Sequence, residues 1–228
     1  MQTHRPIAII LLLLALLSGC GNLSKPFPEK ERFGISCSPT SHDDALNVNQ
    51  TGHAEVSSGT ARPPTPVLPL RVERVRVASP FDGRTFVHRV GEDQYTFDYY
   101  SEFVTGPDQL LTACTVARLL QNADLPMTLA PQSSADAGYR LETNILHLYA
   151  DDRVPSKPQA SIAAHFLLLQ DFKDGTRVAG QWTLTESEPL PAANPKDLAA
   201  GYGKAFGRIL DRLTDELIAA LQVQDKLN

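Results

Sequence analysis

Histidines, cysteines and an adjacent pair of acids are the residues of this 228-residue chain that could bind a metal or drive a reaction. The six histidines are scattered. None stands in a His-x-x-x-His spacing, and no Cys-x-x-Cys occurs, so the ligand pairs that zinc sites use are missing from the sequence. His147 falls on the apolar-leaning phase of a strand pattern and reads as a hydrogen-bonded core histidine rather than a ligand. Asp151-Asp152 would offer a metal two carboxylates, but an acidic pair in a turn is ordinarily just solvated. Gly201-Tyr202-Gly203 with Gly207 has the outline of a phosphate-cradling glycine pattern. It lies inside a helical stripe, however, and such a cradle needs the junction between a strand and a helix, where backbone N–H groups point at the anion. Close helix packing is the better account. No Gly-x-Ser-x-Gly elbow is present to expose a nucleophilic serine. The expectation is a protein that is not an enzyme, with no cofactor and no metal.

Cys20 is the exception. His4 and Arg5 are followed by an apolar run from Pro6 to Leu17. As a helix that run would rise ~18 Å, short of the ~30 Å hydrocarbon core, which suits the apolar stretch of a signal peptide rather than a membrane span. Leu17-Ser18-Gly19-Cys20 then resembles the bacterial lipobox, in which small residues fit the signal peptidase and the cysteine thiol takes a diacylglycerol. Residues 1–19 are therefore expected to be removed, and residues 20–30 to be a polar tether. Two or more acyl chains anchor a protein stably where one holds it only marginally. Cys37 and Cys114 remain. In an oxidising compartment they could pair, but Cys114 also reads as a small apolar residue on a buried helix face, and that reading is preferred here.

Behind these residues stands a single domain, 31–228, with a flexible insertion at about 38–66. The insertion carries Ser, Thr, Asn, Asp, Gly and Pro and few large apolar residues, so burial cannot offset its ordering entropy. Arg32 to Ser36 is a candidate first strand. Leu70, Val72, Val75 and Val77 alternate with charged residues as one strand carrying a bulge. Thr85–Val90 and Gln94–Tyr99 flank Gly91-Glu92-Asp93 as a hairpin. A helix is expected after Thr105, opened by Pro107, with Leu110, Ala113, Cys114 and Ala117 on one face. Tyr139, Leu141, Ile145 and Tyr149 mark the next strand. Ala160–Phe172 and Thr176–Glu186 make the clearest hairpin, joined through Asp174-Gly175, with Val178, Trp182 and Leu184 on one side of the second strand.

Asn194 and Pro195 open the last helix. Its apolar stripe is Leu198, Tyr202, Ala205, Phe206, Ile209, Leu213, Leu217 and Ala220, with Lys204, Arg208, Asp211, Arg212 and Asp215 opposite. Packing within its own domain is favoured over extension to a neighbouring subunit. The fold class is α+β: a mostly antiparallel sheet with two helices on one face and a long C-terminal amphipathic helix.

Charge excludes one class of partner. The chain has 21 basic and 26 acidic residues. Loss of Arg5 with the leader leaves 20 against 26, or −6, without the clustered basic surface that nucleic acid requires.

The stretch Leu70–Arg84, then Phe86-Val87-His88-Arg89-Val90-Gly91 and Gln94-Tyr95-Thr96-Phe97-Asp98-Tyr99-Tyr100, resembles the ABC-type transport auxiliary lipoprotein family, the PqiC/YmbA-type lipoproteins among them. Arg32-Phe33-Gly34-Ile35-Ser36 resembles that family's opening aromatic strand. The resemblance implies an auxiliary subunit working with an MCE-domain protein and an inner-membrane permease, in systems that move lipid or other hydrophobic solutes between membranes. It leaves a homo-oligomeric ring open. Gly21 stands where an inner-membrane retention signal would usually place Asp, so attachment to the outer membrane, facing the periplasm, is expected. A scaffold or regulator of envelope assembly is the competing reading. The loop Phe81-Asp82-Gly83-Arg84 is the candidate partner contact: Gly83 supplies the turn, and Phe81 offers an apolar tip beside Arg84. The alternative is that Phe81 packs inward and Arg84 pairs with Asp82 or Asp98.

Overall fold

A strand buried between two neighbours keeps its register only as long as its side-chain phase is unbroken, and several phase breaks shape this sheet. The computed structural model describes residues 29–37 and 68–227, with side chains to Val223. Cys20 and the segment 38–66 lie outside the described residues. In chain order the elements are β1 (Glu31–Phe33), β2 (Leu70–Val72), β3 (Arg76–Val77), β4 (Thr85–Arg89), β5 (Tyr95–Phe103), α1 (Pro107–Leu120), β6 (Thr128–Leu129), β7 (Tyr139–Asp151), β8 (Gln159–Phe172), β9 (Gly175–Pro189) and α2 (Pro195–Leu227).

β7 is the spine. Along one edge it pairs antiparallel with β8, which pairs antiparallel with β9. Along the other edge β2, β3 and β4 lie end to end, all parallel to β7, with Leu70 opposite Tyr139, Arg76 opposite Asn144 and His88 opposite Ala150. β4 continues to β5 and β1, and β2 to β6. The α+β class with a mostly antiparallel sheet holds: the three long pairings are antiparallel, and five short parallel ones make the sheet mixed.

The expected single strand over Leu70–Val77 is two strands. Glu73 N–H still reaches Leu141 O, but Val75 N–H donates to Thr112 Oγ1 of α1, 2.9 Å away, so the helix takes the bond a continuous ladder would have used. A second break falls between Ile145 and His147 of β7. It moves Tyr149 off the face that Ile145 occupies. A third, opposite Leu168 and Leu169, puts Val178 on the outer side, where it is 61% exposed instead of sharing a side with Leu184.

Both helices cover one face. Asn194 Oδ1 accepts Asp197 N–H at 2.8 Å, which satisfies one of the free donors at the start of α2. The expected stripe is buried from Leu198 through Leu217, with Tyr202, Phe206, Ile209 and Leu213 at 0–1% exposure. Its polar side is also occupied. Arg208 reaches Glu186 and Glu188 of β9 at 3.2 and 2.7 Å, and Arg212 reaches Glu186 at 3.0 Å. α2 therefore packs within its own domain. α1 lies beside it, with Arg118 paired to Asp211. Cys37 and Cys114 form a disulfide, their Cα atoms 5.5 Å apart. The preferred reading of Cys114 is corrected to that extent: it is buried, and it is also cross-linked.

Candidate contact surface

The loop after β3 is built on one aromatic anchor. Ala78 N–H donates to Ile145 O, and Phe81 N–H returns to Ala78 O, both at 2.9 Å, which turns the chain back over the sheet face opposite the helices. Phe81 is buried there, with its ring centroid 5.9 Å from those of Tyr95 and Tyr149. The shifted register of β7 is what presents Tyr149 to it. Arg89 donates to Tyr149 Oη at 3.2 Å, and its guanidinium lies 5.6 Å from the ring centroid. His147 stacks on Tyr149 at 4.7 Å and meets Ser161 Oγ at 3.1 Å. Burial pushes the His147 pKa below its ordinary value and the Arg89 charge pushes it further. This is the satisfied, partly buried histidine the sequence suggested.

Phe81 therefore faces inward, and Asp82, Gly83 and Arg84 form the exposed part of the loop. Arg84 pairs with neither Asp82 nor Asp98. Its guanidinium donates to Phe103 O and to Glu102 Oε1, each at 3.0 Å, and Glu102 also accepts from Arg32 of β1 at 3.0 Å. Glu102 thus ties the loop, β5 and the first strand together. It escaped the sequence reading, because only the strand register places it opposite Thr85, next to Arg84.

β5 itself is distorted. Val87 pairs with Phe97 and Thr85 with Glu102, so Asp98, Tyr99, Tyr100 and Ser101 stand opposite Phe86 alone. Asp98 Oδ1 holds this extrusion by accepting the N–H groups of Tyr100 at 2.8 Å and Ser101 at 3.1 Å. Tyr99 and Tyr100 pack edge to face, 5.1 Å between centroids, and project outward at 71% and 46% exposure. Phe97 is 56% exposed.

The remaining chemical candidates disperse. Asp151 is held by Arg153 and Asp152 by His88, at 2.6 and 2.7 Å, so the two acids do not converge. Among the described residues no group of three or more His, Cys, Asp or Glu could hold a metal ion. A Cβ at Gly201 would come within 2.6 Å of Leu190 and 2.8 Å of Ala160, and one at Gly203 would strike Ser36 O, so these glycines serve close packing. An open groove of about 590 Å³ runs along α1, between Val116 and Leu120 on one side and Ala130 and Pro131 on the other.

The sequence model of the ABC-type transport auxiliary lipoprotein component matches residues 52–214. The chain belongs to that family. Its members are transport auxiliaries rather than enzymes, and their lipoprotein character puts them in the cell envelope. No helix among the described residues is long and apolar enough to cross a membrane. No curated protein matches the chain. A solved structure from Xanthomonas campestris shares 18% identity at a TM-score of 0.62, covering 73% of this chain and 94% of its own. A second solved structure, described as an uncharacterized protein, shares 14% identity at 0.55, covering 66% and 92%. Both likenesses are of fold.

Proposed function

We propose that this transport auxiliary is acylated at Cys20, anchored in the outer membrane facing the periplasm, and works with an MCE-domain protein and an inner-membrane permease to move lipid or another hydrophobic solute between membranes. The family match carries the reading. The lipobox-like Leu17-Ser18-Gly19-Cys20 supports the anchor, and Gly21 the choice of membrane. The Cys37–Cys114 disulfide agrees with an oxidising compartment. Within the reading, Asp82, Gly83 and Arg84 touch the partner while Phe81 holds the loop in place. The test is recovery of the native protein from envelope extracts. Labelled palmitate should enter the wild type and not Cys20→Ala, and the acylated protein should bring down an MCE-domain protein and a permease. Recovery of peptidoglycan or outer-membrane assembly factors instead would favour the scaffold reading.

A further inference from the structure

We infer that the aromatic cluster at the extrusion of β5, Tyr99 and Tyr100 with the neighbouring Phe97, seats in the headgroup layer of the membrane that holds the acyl chains and so sets which way the domain faces. The inference rests on the anchoring of Cys20 proposed above.

Two observations converge on it. The first is chemical. Phenylalanine and tyrosine rings are apolar bodies, and the tyrosine hydroxyl is a polar tip; aromatic side chains of this kind collect where hydrocarbon meets water. Three such rings are exposed within four consecutive positions, on a backbone fixed by Asp98 and flanked by buried Ser101 and Phe103. Of the carboxylates around the patch, Glu31 of β1 is exposed, and the others are spoken for or set apart. Asp98 accepts two backbone N–H groups and Glu102 holds Arg32 and Arg84. Glu92 and Asp93 sit in the turn before β5, exposed, where they stay in water or among headgroups.

The second observation is where the chain enters the sheet. β1 pairs with β5 immediately beside the extrusion, Glu31 opposite Ser101, one residue from Tyr100. From Cys20 to Glu31 is a reach of at most about 40 Å even fully extended. A chain held by lipid at one end therefore enters the sheet at its β1–β5 edge, beside the rings and within that distance of the bilayer. Acyl chains alone leave a tethered body free to tumble, while a second, weaker contact at a high effective concentration fixes its face.

The experiment uses the full-length acylated protein in vesicles of phosphatidylethanolamine and phosphatidylglycerol, with and without brominated acyl chains. In a Trp182→Phe background, Tyr99→Trp, Tyr100→Trp and Phe97→Trp are made singly, and Met127→Trp serves as the control. Met127 is 70% exposed beside β6, which pairs with β2 at the other end of β7. The indole of Tyr99→Trp should lose roughly half its emission to the brominated lipid and shift to the blue, while that of Met127→Trp keeps its emission. With acyl chains confirmed by mass, absence of quenching at all three positions overturns the inference and leaves the anchor standing. A blue shift without quenching means that a second copy or a protein partner covers the rings, and overturns it equally. A mature protein without acyl chains removes the anchor, and the inference with it.

Discussion

The two faces of the sheet are stabilised in different ways. Under the helices, Phe86, Phe103, Phe166, Tyr202 and Phe206 are 0–2% exposed, with Phe86 and Phe103 at 4.6 Å and each in ring contact with Tyr202. Two layers close over these side chains. On the opposite face a single loop covers Tyr95 and Tyr149 through Phe81, and farther along β9 the outward residues Gln181, Thr183 and Thr185 meet water. The first face carries most of the folding free energy. The second is a local anchorage from which exposed groups project, so changes there should disturb contacts before they disturb the fold.

Substitution can break that contrast. Phe206→Ala, at the centre of the helix-covered face, should cost about 3–5 kcal/mol and lower the thermal midpoint steeply. Cys37→Ser removes a cross-link spanning 77 residues of sequence. It should cost about 4 kcal/mol by loop-closure entropy, and the oxidised wild type treated with reductant should show a similar loss in chemical denaturation. Phe81→Ala, with one loop to relax, should cost only about 2–3 kcal/mol and should raise amide exchange in residues 78–84 first. If Phe81→Ala costs as much as Phe206→Ala, the contrast fails.

Acid should sharpen the comparison. The His147 pKa is lowered in the fold, so the unfolded chain binds the extra proton first. Stability present at neutral pH should begin to fall as pH drops below about 6.5, and His147→Gln should remove that step. Arg153 and Arg140 hold the carboxyls of Asp151 and Asp171 below the usual range. Their contributions persist until pH falls below about 4 and are lost beneath it, a second step that His147→Gln leaves in place. The smallest effect on stability is expected from Arg84→Ala. Its side chain is 43% exposed, so the loss should be under about 1 kcal/mol, while recovery of the transport partner falls. Equal loss of stability and recovery would make Arg84 a structural residue alone.

What could be read from residues alone was whatever obeys one period throughout. α2 kept a 3.6-residue stripe from Leu198 to Leu217 and opened on Asn194-Pro195, so both its place and its buried side were legible. The β8–β9 hairpin was legible from its turn, where Gly175 takes a φ of +145°, and from the alternation of β9 beyond its break. The phase breaks were not. Tyr149 and Val178 change sides because one extra residue enters a strand, and no neighbouring side chain announces it. The split of Leu70–Val77 depends on Thr112, supplied by a helix 37 positions away from Val75. The candidate loop was found, but the inward turn of Phe81 and the grip of Glu102 on Arg84 follow from those same long-range pairings. The Cys37–Cys114 bond was a coin of two sides in the sequence, since burial and cross-linking call for the same small sulfur side chain.

That bond lies just inside the first strand, and it has a mechanical meaning. Tension arriving from the N-terminus would load the three β1–β5 pairs from Glu31 to Phe33 and could peel them. Four residues later it would meet Cys37, and the force would pass by covalent bond into α1 at Cys114. β2 to β5, which the cross-link encloses, therefore cannot lengthen under pull, a stop that hydrogen bonds alone could not provide, while the load passes on through α1 to the chain beyond it.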